Sequence, residues 1–311
     1  MRAARALAII PTVVVTATIV FVLIRIIPGD PAALMLGLEA PPAQLQALRH
    51  ALGEDRPVWV QYAAWLGGLA RGQLGESIRY HAPVAALIAE RLPVTLSLAL
   101  AAMVVTVAVA LPLGLLAAVR AWSLFDLGVL AATQAGLAVP NFWIGILLLL
   151  FFSVTLGWLP LQGYAPLAAG AGAWAAHLVL PAVTLGAARA AQLMRFVRGA
   201  VLEELAHDYV RTARGKGLAE RAVLLGHVLR NALIPVLTIA GLQFGYLLGG
   251  AIVVEQVFGL PGLGRLVLQG IYARDLPVVQ GAVVVLALLV SALNTIVDLL
   301  YSVVDPRVSA G

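Results

Sequence analysis

Apolar runs of about 20 residues recur along the whole chain, the length an α-helix needs to cross hydrocarbon while satisfying its own backbone hydrogen bonds. Hydrophobic residues make up 62% of the sequence and charged residues 11%, against roughly a quarter charged in a soluble domain. Length alone would suggest two soluble domains, but the recurrence of the runs argues for a single membrane domain over 1–311. The expected fold class is all-α: a polytopic membrane protein with six helices at roughly 7–27, 92–119, 127–156, 176–198, 235–254 and 278–304.

With six spans both termini share a side, and the basic residues indicate which. Arg2, Arg5, Arg120, Arg195, Arg198, Arg211, Arg214, Lys216, Arg221, Arg230 and Arg307 fall on one face, while the short opposite loop 157–175 has none. Positive charge marks the cytosolic side, so both termini and the loop 199–234 are expected in the cytosol. The segment 28–91 carries Arg49, Arg56, Arg71 and Arg79 and is placed outside, because long segments translocate largely regardless of charge. The basic start followed by the run Ala6 to Ile24 reads as an uncleaved signal anchor.

A net charge of +5 in a soluble chain would suggest nucleic acid, but here the cations cluster at the ends of apolar runs, where topology requires them. The chain has no cysteine, which excludes disulfides, thiolate metal sites and cysteine nucleophiles. Lys216 sits in no phosphate-binding Gly-x-x-x-x-Gly-Lys-Ser/Thr frame, and neither a His-Glu-x-x-His helix nor a Gly-x-Ser-x-Gly elbow occurs. No catalytic residue, cofactor or metal site is expected.

Outside the spans, Pro42 to Leu52 reads as a short helix stopped by Gly53. A second helix begins at Pro57 and places Trp59, Tyr62, Trp65, Leu66 and Leu69 at three- and four-residue spacing. Such a stripe reads first as a helix lying at the lipid headgroups, and second as a docking surface for an external partner. Pro140 is expected to kink the third run. Trp143, Trp158 and Trp174 read as belt residues.

The loop 199–234 holds the densest polar run of the chain and its only lysine. From Leu205 to Lys216 a helical stripe comprises Leu205, Tyr209, Thr212 or Ala213, and Lys216, with Asp208 and Arg211 one turn apart and Gly215 and Gly217 ending the helix. A second short helix is expected from Ala219 to Leu233, closed by Pro235 at the entrance of the next span. A compact helix pair tied to spans at both ends can pass a rigid-body push into the bilayer.

Several motifs in order resemble the permease subunits of ABC importers, in the dipeptide/oligopeptide/nickel branch. They include Pro28–Gly29–Asp30–Pro31, Gly53–Glu54–Asp55–Arg56–Pro57, Leu74–Gly75–Glu76–Ser77, Arg91–Leu92–Pro93–Val94–Thr95–Leu96 and Leu156–Gly157–Trp158–Leu159–Pro160. Asp208–Tyr209–Val210–Arg211–Thr212–Ala213–Arg214–Gly215–Lys216–Gly217–Leu218 with Asn231–Ala232–Leu233–Ile234–Pro235 is similar to that family's EAA loop. Pro261–Gly262–Leu263–Gly264 and the closing Asp298 and Asp305–Pro306–Arg307 continue the match nearly end to end.

The resemblance implies an inner-membrane permease of a type I ABC importer in a bacterial or archaeal cell. Its partners would be a second, homologous permease, two cytosolic ATPase subunits and an extracytoplasmic substrate-binding protein. It also implies that Asp208, Tyr209, Arg211, Thr212, Ala213, Arg214, Lys216 and Gly217 couple to the ATPase. Arg211–Thr212–Ala213 stands where the wider superfamily has Glu-Ala-Ala, and Gly215 where this branch usually has alanine.

Peptides are the expected solute. Nickel or a nickel chelate is the rival, weakened by scattered histidines (His50, His81, His177, His207, His227). A stand-alone secondary transporter would show paired intramembrane acids or inverted repeats, and neither is evident.

Ionisable residues within spans are costly in hydrocarbon. Arg189 and Asp298, at similar depth on two spans running in the same direction, are expected to pair or to line a wet passage, with snorkelling of Arg189 as the alternative. Asn141, Gln243 and Glu255 are candidates for the substrate path, or interhelical hydrogen-bond partners.

Overall fold

The computed structural model describes residues 9–26, 40–52 and 55–304. Among these, every regular element is helical apart from one isolated bridge between Glu76 and Pro83. In chain order they are α1 (Ile9–Ile26), α2 (Pro42–Leu52), α3 (Val58–Ala70), α4 (Val84–Val119), α5 (Leu124–Ala138), α6 (Asn141–Thr155), α7 (Ala171–Leu205), α8 (Asp208–Gly215), α9 (Glu220–Phe258), α10 (Leu263–Tyr272) and α11 (Leu276–Val304). Among the described residues, four helices are long and apolar enough to cross a membrane: α4, α7, α9 and α11. Counted as one span despite its 100° bend, the α5–α6 pair is a fifth, and Ile10–Leu23 of α1 is a shorter apolar helix. These elements fall where the six spans were expected, but α4 and α7 begin about two turns and one turn earlier, and α7 runs on to Leu205.

Of the two proline expectations, one is met and one needs correction. Pro140 interrupts the third run and bends it by 100°. Val139 before it is extended (φ −89°, ψ 127°), the conformation that the ring of a following proline imposes, and the two arms separate there. Pro235 does the reverse. It lies inside α9, which continues from Glu220 to Phe258 through a π-helical stretch at Leu224–Val228, so no separate helix ends at Leu233. In a packed membrane helix the groups freed by a proline are satisfied by neighbours, and the ring is tolerated.

The described residues form two compact units. The first comprises residues to Pro93 and 262–292. Here α3 sets its aromatic stripe partly against α1: Phe21 lies 5.1 Å from the ring of Tyr62 and 5.4 Å from that of Trp65, and the hydroxyls of Thr18 and Tyr62 share a 2.7 Å hydrogen bond. Trp59 stays exposed, so only the outer part of the stripe is free for headgroups or a partner. Val84 and Ile88 pack with Leu263, Leu266, Val267, Val278 and Ala282. A buried carboxylate, Asp275, fastens the loop 71–83 by accepting from the Ser77 hydroxyl (2.5 Å) and the Arg79 N–H (3.0 Å). Pro261–Gly264 is a turn only at its start, for α10 begins at Leu263 after Gly259 adopts φ +65°.

The second unit comprises 94–261 and the residues from Leu293. Here α7 and α9 are the packed centre, and α4 closes on α7 at two glycines. A Cβ on Gly186 would stand 2.8 Å from the carbonyl oxygen of Ala102, and one on Gly114 would stand 2.8 Å from that of Met194. Backbone cannot move aside as a side-chain tip can. Gly186→Ala is therefore expected to cost about 1–3 kcal/mol of stability, read as a lowered midpoint of thermal unfolding in detergent. An unchanged midpoint would contradict the close approach.

Candidate functional site

Helix α8 is short and amphipathic. Asp208 in its first turn and Arg214 in its last both complement the helix dipole. His207 before it is extended, and Lys216 and Gly217 (φ +75°) end it. The helix thus starts three residues later than its stripe suggested, and Leu205 belongs to α7.

Its inner face is Val210 and Ala213, buried in a cluster with Val197, Val201, Val223, Val228 and Ala232. Its outer face is polar: the side chains of Asp208 and Arg211 are 93% and 77% exposed and meet at 3.4 Å, and Thr212, Arg214 and Lys216 are exposed beside them. Thr212 turns its hydroxyl back to the Asp208 carbonyl (3.0 Å). Arg214 closes the following turn with two hydrogen bonds to Glu220, at 3.1 and 2.6 Å.

Tyr209 ties this helix to both neighbours. Its hydroxyl donates to Glu204 Oε2 (2.6 Å) at the end of α7 and accepts from Asn231 Nδ2 (3.1 Å) in α9. Burial, reinforced by the Glu204 acceptor, pushes the phenol above its ordinary range and keeps it a donor. The structure thus brings the predicted coupling residues onto one wedge, with Ala213 as the seat, Tyr209 as the tie and the remaining side chains outward. Sequence reasoning missed Glu204 and Asn231 as the partners of Tyr209, because the break at Ala206–His207 changes which faces meet.

A second feature was also missed. Asp126, whose side chain is 1% exposed, accepts two 2.6 Å bonds from Arg198 of α7 and a 2.9 Å bond from the Trp122 N–H. In the sequence, Arg198 stands out only as a charge that sets topology. The one local signal was Ser123 three residues before Asp126, a capping arrangement in which the Ser123 hydroxyl accepts from the Asp126 N–H (3.3 Å).

The intramembrane candidates fall in separate surroundings. Arg189 donates to Gln192 Oε1 (3.0 Å) and lies 5.0 Å over the ring of Tyr246, while the side chain of Asp298, its expected partner, lies outside the described residues. Glu255 is fully buried and accepts from the Thr95 hydroxyl at 2.6 Å. Gln243, twelve residues earlier on α9 and so about 18 Å away along the axis, is buried with its Oε1 unpaired. Asn141 is half-buried in the first turn of α6. Gln243 and Glu255 therefore do not form one cluster.

Comparison with known proteins agrees with this architecture. Residues 110–310 match the family described as "Binding-protein-dependent transport system inner membrane component", and residues 2–99 match the N-terminal part of such membrane components. The chain is 41% identical to the di/tripeptide transport system permease protein DppB of Pseudomonas aeruginosa, over 96% of each. It is 41% identical to the oligopeptide transport system permease protein AppB of Bacillus subtilis (98% of this chain, 97% of that one). It is 42% identical to the glutathione transport system permease protein GsiC of Escherichia coli, over 98% of this chain and 97% of that one. Its apolar helices and the match of both parts of the family description nearly end to end agree, and the chain belongs to the binding-protein-dependent transport permeases, the membrane subunits of ABC importers.

Proposed function

We propose that this permease forms half of the translocation pathway of a peptide importer, and that α8 is the lever through which separate cytosolic ATPase subunits move its spans. The peptide assignment is supported by the relatives, whose names specify di- and tripeptides, oligopeptides and glutathione. The coupling assignment is carried by one observation: the Tyr209 hydroxyl joins α7, α8 and α9 through bonds of 2.6 and 3.1 Å, while the opposite face of α8 is charged and open. A push on that face reaches two spans at once.

In this reading a second, homologous permease completes the pathway, an external binding protein delivers the solute, and both termini lie with α8 in the cytosol. ATP is hydrolysed on the partner subunits, so no residue of this chain is catalytic.

Reversing Arg211 and Arg214 to glutamate tests the coupling surface. Retention of the ATPase on tagged permease in detergent is expected to fall about tenfold, equivalent to about 1.4 kcal/mol, and peptide uptake to fall with it. Reversal of Arg71 and Arg79, placed outside, should leave retention unchanged. Full retention in the Arg211/Arg214 variant would remove α8 from the docking surface.

A further inference from the structure

One face of the C-terminal half of α7 carries polar side chains. Arg189, Gln192, Arg195, Gly199 and Glu203 recur every three or four residues, which aligns them over about 21 Å. Gln192, Arg195, Gly199 and Glu203 are exposed in this chain. Arg189 and Gln192 lie within the expected span, where charges and amides face a bundle interior or water rather than acyl chains, and Arg195, Gly199 and Glu203 continue the same face at its cytosolic end.

Beside this stripe lies a cavity of about 670 Å³, lined by Gln192, Arg195, Phe196 and Glu203 of α7 and by Pro235 and Gln243 of α9, among others. Its volume falls within the range of about 300–1,000 Å³ usual for small-molecule sites. Gln243 is only 6% exposed, and its Oε1 is a buried acceptor without a donor. Buried polar atoms are almost always paired, so an orphan on a cavity wall marks where a partner is to be supplied. Arg195 uses one N–H on Gln134 Oε1 (3.1 Å), and a guanidinium has five.

We infer that this cavity is a station on the solute path that takes a peptide with a free carboxylate. The carboxylate meets Arg195, a peptide N–H donates to Gln243 Oε1, and Glu203 offers the ammonium end a counter-charge. The inference rests on the importer reading above and adds to it the residues and the solute chemistry. It also separates two amides that look alike in the sequence: Gln192 Oε1 accepts from Arg189, whereas Gln243 Oε1 has no donor.

The native chain has no cysteine, so single cysteines can be read without background. Cysteines at Gln192, Gly199 and Gln243, with Leu237 and Leu242 as exposed apolar controls, would be placed in the full importer complex in liposomes. They would then be treated with an anionic methanethiosulfonate. Labelling is expected at the three cavity positions and not at the controls, slowed at least about fivefold by dialanine and not by dialanine amide. Labelling that dialanine leaves unchanged overturns the inference. So does labelling lost on assembly, which would mean that the second permease packs into the cavity. Because ATPase retention is measured on the same samples, a complex that hydrolyses ATP but shows no cavity labelling sinks this inference alone. A chain that retains no ATPase sinks the importer reading.

Discussion

Arg198→Ala is expected to remove most of the folded protein. The Asp126 carboxylate is buried, and its two shortest bonds, both 2.6 Å, come from that guanidinium. Deleting the cation leaves an anion in a low-dielectric site with only the Trp122 N–H to answer it. Breaking a buried pair in this way costs about 3–5 kcal/mol, a large share of the roughly 5–15 kcal/mol that holds a domain folded. The readout is yield and thermal midpoint in detergent. Arg198→Lys should recover only part of the loss, since an ammonium cannot form the two parallel bonds. The double change Asp126→Leu with Arg198→Met should recover most of it, because the cost is one of unpaired charge rather than of lost attraction. A midpoint in Arg198→Ala equal to that of the parent would refute the clamp.

The second large effect is expected at Tyr209. Replacing it with alanine removes a half-buried ring and leaves Glu204 Oε2 and Asn231 Nδ2 without the hydroxyl between them. A loss of about 3 kcal/mol would lower the population of seated α8 roughly a hundredfold. On the coupling role proposed for α8, peptide uptake is expected to collapse while an uncoupled ATPase keeps turning over, so the ratio of peptide moved to ATP hydrolysed is the quantity to measure. Tyr209→Phe keeps the ring and removes only the hydroxyl, which costs about 1–3 kcal/mol and should give an intermediate ratio. If both variants keep the parental ratio, Tyr209 is not the tie.

Much of this architecture is legible in the chain, because hydrophobic length and the three-to-four periodicity are local properties. The spans, α2 and α3 follow from them, and so does the end of α8, where Gly217 takes the left-handed conformation. What local rules do not separate are cases decided by neighbours. Pro140 and Pro235 look alike as helix breakers, yet only the first sits behind an extended residue, and the second is absorbed into α9. Asp126 and Arg198 are 72 positions apart, so their bond is invisible to any window. The coupling residues came from resemblance, and the geometry supplied what resemblance lacks: which of them faces inward. Among the path candidates, Gln243 and Glu255 are both polar in sequence, and packing pairs one and leaves the other's Oε1 without a donor.

The break at Pro140 bears on the lipid around this protein. Helix α5 has 15 residues and is about 22 Å long, short of the roughly 30 Å of hydrocarbon it adjoins. Its partner arm leaves at 100° instead of adding to that reach. Acyl tails beside this corner must shorten or splay to meet it, at a fraction of a kcal/mol per ångström of mismatch. At this corner the bundle offers the bilayer a shorter apolar helix than α4, α7, α9 or α11 does.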